Sequence, residues 1–432
     1  MKALLTFKPT CVVAALLLMG GAAAQAATLT DSPGQYDLGN GLTFSANYTG
    51  EAAANTTGGL RQGSAYAGQI FLGADLDLQK MLGWNATSVH IAVTQRHGQS
   101  LSNEAIGNNT SVQEIYGTQN LHLAYFTIEK KFFGGRLEVQ GGRTVANIDF
   151  LNSPLYCNFQ SNSACGNPTF VFKDSNFTYF PASSWGGYAK GWMTDKLYAK
   201  VGVYEVNPND KRPNDHGIDW STADATGVVV PWALGYATTF ANDTHPRDYE
   251  IGGWFDRSKY TDPLLDANGG YAVLTGQPYR SDRNRSGAYV RFSQMVWRPD
   301  MNSQRGLTVF GVAMTNLSGR VNESSFLELG AVMQEPFPGR EQDTLGFVIN
   351  QQRFSSLALQ NIQIARSSVG GNTDIPGSET MMELAYGYQL SPGIRLSPNL
   401  QYILHPDQQS VPFRTSNIPN AFIIGLKFTV AL

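Results

Sequence analysis

Alternation constrains this chain more than any other feature of its sequence. Sixteen stretches are candidates for a period of two: 36–48, 64–78, 86–97, 119–131, 134–146, 184–193, 195–206, 231–241, 246–258, 286–298, 305–317, 324–334, 342–353, 379–390, 393–405 and 419–432. Successive side chains of a strand point to opposite faces, so a period of two predicts strands with one apolar face. The last stretch is the clearest. Phe422, Ile424, Leu426, Phe428, Val430 and Leu432 form one row, and Ile423, Gly425, Lys427, Thr429 and Ala431 form the other. In the fifteenth stretch Pro398 interrupts the pattern, which predicts a local bulge.

The connections alternate too. Short ones such as KKFFGGR, MTDK and SPG separate long ones at 48–64, 97–119, 146–184, 206–231, 258–286, 353–379 and 405–419, with only 317–324 out of step. A meander with tight turns at one end and long loops at the other is the organisation of a transmembrane antiparallel β-barrel. A barrel of about sixteen strands is too wide to be packed solid with side chains and encloses water. The apolar rows therefore face lipid and the polar rows face the lumen. Closure of the last strand on the first removes the unpaired edges that a bilayer does not tolerate. The even count puts both termini on the tight-turn, periplasmic side, and the long loops outside.

The N-terminus sets the compartment. Lys2 and Lys8 precede an apolar run, Cys11 to Gly20, followed by Ala24-Gln25-Ala26. This is the pattern of a secretory signal peptide over 1–26, leaving 27–432 as one barrel domain. Without Lys2 and Lys8, Lys+Arg falls from 31 to 29 against 34 Asp+Glu, a net charge of −5. That argues against a nucleic-acid partner, which would require a basic face. Charged residues make only 15% of the chain, below the ~25% of an ordinary soluble domain. Cys157 and Cys165 remain, and in an exported protein a close pair predicts a disulfide.

Several segments resemble the carbohydrate-selective porins, the OprB-type family of Gram-negative outer membranes. They are GLTFSANYTGEAAANTTGGLRQGSAYAGQIFLGADLDLQKMLGW at 41–84, HGQSLS at 97–102, GGRTVANIDFLNSPLYCNFQSNSACGNP at 141–168, YEIGGWFDRS at 249–258 and ETMMELAYGYQLSPGIRLSPNLQYILHP at 379–406. The resemblance implies a channel that passes neutral sugars, monosaccharides in particular, inward by passive, facilitated diffusion. Its surroundings would be outer-membrane lipid, and the barrel assembly machinery would insert it as a monomer or a homotrimer. The alternatives are a general diffusion porin without a sugar site and an outer-membrane barrel hydrolase. Neither G-x-S-x-G nor H-E-x-x-H occurs, and the six histidines lie in no nucleophile or metal motif, so no enzyme activity, cofactor or metal is expected. Such barrels often end in an aromatic residue, whereas this chain ends in Leu432.

A sugar presents hydroxyls on its rim and C–H patches on its faces. A selective channel meets these with hydrogen-bonding side chains and planar rings at a constriction. The longest loop, 146–184, is the expected constriction: it is rich in Phe, Tyr and Asn and carries Cys157 and Cys165. Arg143 and Asp149 lie at its root and Trp185 follows it; Arg96, Arg291 and Glu383 occupy polar rows of the third, tenth and fourteenth strands. These six are the expected sugar contacts. Each has a plainer reading, an aromatic that anchors the loop or an ion pair that only stiffens the barrel.

Overall fold

The wall is built from sixteen strands, each hydrogen-bonded to its neighbours in sequence. They are β1 (Leu42–Thr57), β2 (Gly63–Asp77), β3 (Thr87–Gly98), β4 (Leu121–Phe132), β5 (Leu137–Thr144), β6 (Ser184–Trp192), β7 (Leu197–Val206) and β8 (Gly227–Ala237), then β9 (Arg247–Asp266), β10 (Tyr279–Trp297), β11 (Gly306–Ser318), β12 (Glu323–Gln334), β13 (Thr344–Phe354), β14 (Ser378–Ser391), β15 (Ile394–Leu404) and β16 (Ala421–Ala431). The computed structural model describes residues 28–29, 34–165 and 169–432, so the signal peptide expected over 1–26 lies outside them. Every adjacent pair is antiparallel, and β16 closes on β1 from Phe422↔Thr57 to Ala431↔Asn47. These sixteen strands form a closed antiparallel β-barrel, so among the described residues the wall itself has no open edge.

The two faces follow from parity. Ile424, Leu426, Leu327, Leu329, Phe347, Val201 and Val203 are exposed on the outside, although all are apolar. They form an apolar belt around the outside of the wall, with Phe422, Phe428 and Val430 on the same row of β16. On the opposite row, the Lys427 ammonium lies 3.5 Å from Glu51 and donates to the Phe159 carbonyl at 3.1 Å. Ile423, on this inward row, is fully buried because the β3–β4 loop (99–120) brings Leu101, Ile106 and Val112 into the extracellular mouth beside it.

Three local expectations are corrected. The stretch 36–48 is two pieces: Gln35–Asp37 pairs back on Thr43–Ser45 as a hairpin, because Gly39, Asn40 and Gly41 all take positive φ and turn the chain. Strand β1 then runs on through EAAANTT to Thr57, paired with β2 as far as Asn55 and with β16 as far as Thr57. The connections at 48–64 and 258–286 are consequently short, since β9 and β10 also continue well beyond the apolar belt. Pro398 produces no bulge: the β14–β15 register is unchanged on either side of it.

Leu432 lies at the short-turn end of the barrel. Its backbone N–H bonds to the Ala46 carbonyl, and its carbonyl accepts the Tyr36 hydroxyl at 2.8 Å. The N-terminal hairpin thus ties down the last strand.

Candidate functional site

In the β5–β6 loop, the described residues 145–165 and 169–183 fold into the barrel. Its contacts run around the wall. The Asn152 carbonyl accepts from Arg291 on β10, and Thr344 on β13 donates to Asn158 at 3.0 Å. Backbone N–H groups of Gln160 and Ser161 donate to the two Glu383 oxygens on β14, at 2.6 and 2.9 Å. Lys173 reaches Glu323 on β12 at 2.7 Å, and the Asn176 N–H donates to Asp256 on β9 at 3.0 Å. Most of its aromatics are anchors. Phe170 and Phe177 pack edge-on against the fully buried Trp254, and Tyr156 and Phe159 pack on Phe310. Apolar burial and charge-assisted hydrogen bonds together hold the loop against the β9–β14 side of the lumen.

On the other side the loop leaves a cavity of about 320 Å³. Its wall is Ser45, Phe71, Asp75, His90, Tyr125, Thr127, Glu129 and Gln140 of β1–β5, and its lid is Ile148 and Asp149. His90 Nδ1 and Asp75 share a hydrogen bond of 2.6 Å. Asp149 accepts from Tyr204 at 2.8 Å and Thr144 at 3.1 Å, and its carbonyl accepts from the Lys200 ammonium. Burial lifts the Asp149 carboxyl above its ordinary range, against the pull of Lys200 and of those two hydroxyls. Above the cavity, Arg96 lies over the Phe180 ring at 5.4 Å, and that ring packs on Tyr125 at 5.7 Å. The site therefore offers fixed acceptors and donors beside the rings of Phe71 and Tyr125, an arrangement suited to a neutral polyhydroxylated solute.

The six expected contact residues separate into three groups. Asp149 joins the cavity. Arg96, Arg291 and Glu383 face the lumen but are engaged: Arg96 bonds Gln69 at 2.7 Å and the Gly117 carbonyl, Arg291 pairs with Asp248 at 3.2 Å, and Glu383 holds the loop. Arg143 and Trp185 are corrected, because they do not line the lumen. They are cross-strand partners on the row shared with Val139, Val201 and Val203, which faces outward. The β7–β8 loop folds over them: Arg143 pairs with Asp210 at 3.1 Å and donates to the Ser183 carbonyl, while Trp185 meets Trp220 edge-on at 5.6 Å. Cys157 and Cys165 bring their sulfurs to 2.8 Å within the folded loop. Asp77 caps the short helix Leu78–Leu82 and takes no part in the cavity.

The cavity residues Phe71, Tyr125, Glu129 and Gln140 were not singled out from sequence. All sit on inward rows of strands next to the loop root, and that position was the available signal.

A family model described as carbohydrate-selective porin, OprB family, matches residues 61–432. The chain belongs to that family. It is accordingly a porin of the Gram-negative outer membrane, a channel and not an enzyme. The porin is 29% identical to Porin B of Pseudomonas aeruginosa over 444 residues, covering 96% of each chain. A solved high-pH structure of Pseudomonas putida OprB matches with a TM-score of 0.80 at 29% identity, over 90% of this chain and 94% of that one. A structure of Salmonella typhi OmpF in complex with daunomycin shares the fold alone, at 11% identity and a TM-score of 0.51, over 90% of this chain and 98% of that one.

Proposed function

We propose that this porin passes neutral sugars, monosaccharides in particular, into the periplasm by passive, facilitated diffusion, with the 145–183 loop as its constriction. One observation carries the reading: a loop held across the lumen leaves a polar cavity with aromatic faces beside it, in a chain of the carbohydrate-selective family. Asp149, Asp75, His90 and Gln140 hydrogen-bond the hydroxyls, and Phe71 and Tyr125 meet the C–H faces. Arg96, Arg291 and Glu383 shape the passage by holding loops in place. Cys157 and Cys165 join as a disulfide that limits the freedom of the loop. The barrel sits in outer-membrane lipid, inserted there by the assembly machinery acting on a last strand that ends in Leu432, as a monomer or a homotrimer.

The test is a conductance titration in planar bilayers, with a panel of sugars and size-matched non-sugar solutes. Saturable block of ion current by monosaccharides, weaker for matched polyols lacking the ring, is the expected result. Block that depends on solute size alone would make the chain a general diffusion porin and remove the sugar site.

A further inference from the structure

The outer wall carries a second feature that the channel function does not use. Strands β9 and β10 are the longest, at 20 and 19 residues, and they continue past the apolar belt on the extracellular side. On β9 the outward row reads Ile251, Gly253, Phe255, and then turns basic. Ile251 and Phe255 are exposed, as is Val290 on β10. Arg257 and Lys259 follow on β9, and Arg283 stands directly across from Lys259 on β10. All three are exposed on the outside of the barrel.

The inward side of the same stretch is balanced: Asp256 pairs with Arg285 at 2.9 Å, and Asp262 with Arg280 at 2.8 Å and with Arg320. The outward side is not. Among the described residues, none of Arg257, Lys259 and Arg283 takes part in an ion pair. Arg257 donates to Asn284 at 3.3 Å and Arg283 to the Thr226 carbonyl at 3.2 Å, which sets both guanidiniums in place without neutralising them. Like charges directly across a strand pair repel one another. A counter-charge from outside the chain relieves that repulsion.

Its position identifies the occupant. Arg257 and Lys259 come two and four residues after the exposed Phe255 on the same outward row, so the cations adjoin the apolar belt on its extracellular side. Arg and Lys together suit phosphate oxygens, and basic clusters next to an apolar surface bind anionic lipid. We infer that Arg257, Lys259 and Arg283 form a binding site for the phosphorylated headgroup of an outer-leaflet glycolipid, whose acyl chains lie on Ile251, Phe255 and Val290.

The test is a titration of the full-length mature porin, purified in a neutral detergent, with diphosphoryl lipid A, read by native mass spectrometry. The parent protein should retain one tightly bound lipid. The triple variant Arg257→Gln/Lys259→Gln/Arg283→Gln should lose about 100-fold in affinity, from the typical contribution of a cation at an anionic surface. The charge-preserving triple Arg257→Lys/Lys259→Arg/Arg283→Lys should keep most of it. Lys259→Gln alone, a change on an exposed side chain, should lower affinity about fivefold and gives the reading if the triple variant does not fold. Fully dephosphorylated lipid A should bind weakly, and millimolar inorganic phosphate should not compete. Retention of affinity by the neutralised variants, equal binding of the dephosphorylated lipid, or displacement by inorganic phosphate would each overturn the proposal.

Discussion

Glu383 gives the sharpest separation between a residue that touches sugar and one that holds the channel in shape. Its carboxylate is buried, and each oxygen accepts a backbone N–H from the loop, Gln160 at 2.6 Å and Ser161 at 2.9 Å. Hydrogen bonds to a charged group contribute about 1.5–3 kcal/mol each, so Glu383→Ala removes about 3–6 kcal/mol of gross loop anchoring. Part is offset, because the variant no longer buries a carboxylate. The loop also keeps Lys427 on the Phe159 carbonyl, and Asn350 on Ser163 at 2.9 Å. A net loss of about 3 kcal/mol shifts the balance between docked and undocked loop by about 100-fold. The closed wall is untouched, so the folded barrel should keep its gel mobility at room temperature. Single-channel recordings should show larger, noisier conductance, limited proteolysis should cut within 145–183, and sugar block should weaken. Glu383→Gln retains one acceptor and should fall between the two. Lost sugar block with unchanged conductance and unchanged cleavage would refute this reasoning and make Glu383 a direct sugar contact.

Further outcomes follow from other parts of the molecule. Cys157→Ser or Cys165→Ser should weaken discrimination between sugars, and a non-reducing peptide map of the parent should recover the two cysteines in one linked product; unchanged sugar block in both variants removes the disulfide-held constriction. Asp149 is held above the ordinary carboxylate range, so it loses its charge on acidification before exposed acids titrate near pH ~4. Reversal-potential measurements should therefore show a fall in cation preference beginning above that pH, and the fall should be smaller in Asp149→Asn. Leu426 faces lipid while Thr429 lies on the lumen row. Leu426→Arg should cost about 2–4 kcal/mol in urea unfolding from lipid vesicles, and Thr429→Arg much less; equal costs would contradict the assigned faces.

What could be read in advance depended on how strongly each side chain marked its face. In β16, apolar and polar residues alternate without a gap, and parity alone placed Ile424 and Leu426 outside and Lys427 inside. The same clarity held for Arg96, Arg291 and Glu383. It failed in β5 and β6, where Gly141, Gly142, Gly186, Gly187 and Gly191 leave the alternation unreadable. Arg143 and Trp185 could then be assigned to the lumen when they belong to the outer row. The polar extensions of β9 and β10 were equally hidden, because strands that rise above the bilayer have no apolar face to give a period.

The sequence by itself determined the number of strands, the direction each distinct face takes and the closure of the last strand on the first. Those features rest on period-two patterning and turn chemistry, which are local. Only the tertiary structure decided which lumen side chains remain open to a solute and which are engaged in holding loops. The difference lies in contacts between residues hundreds of positions apart, such as Gln160 with Glu383 and Lys427 with Glu51. No local pattern encodes such contacts, because they depend on where the closed wall brings each strand.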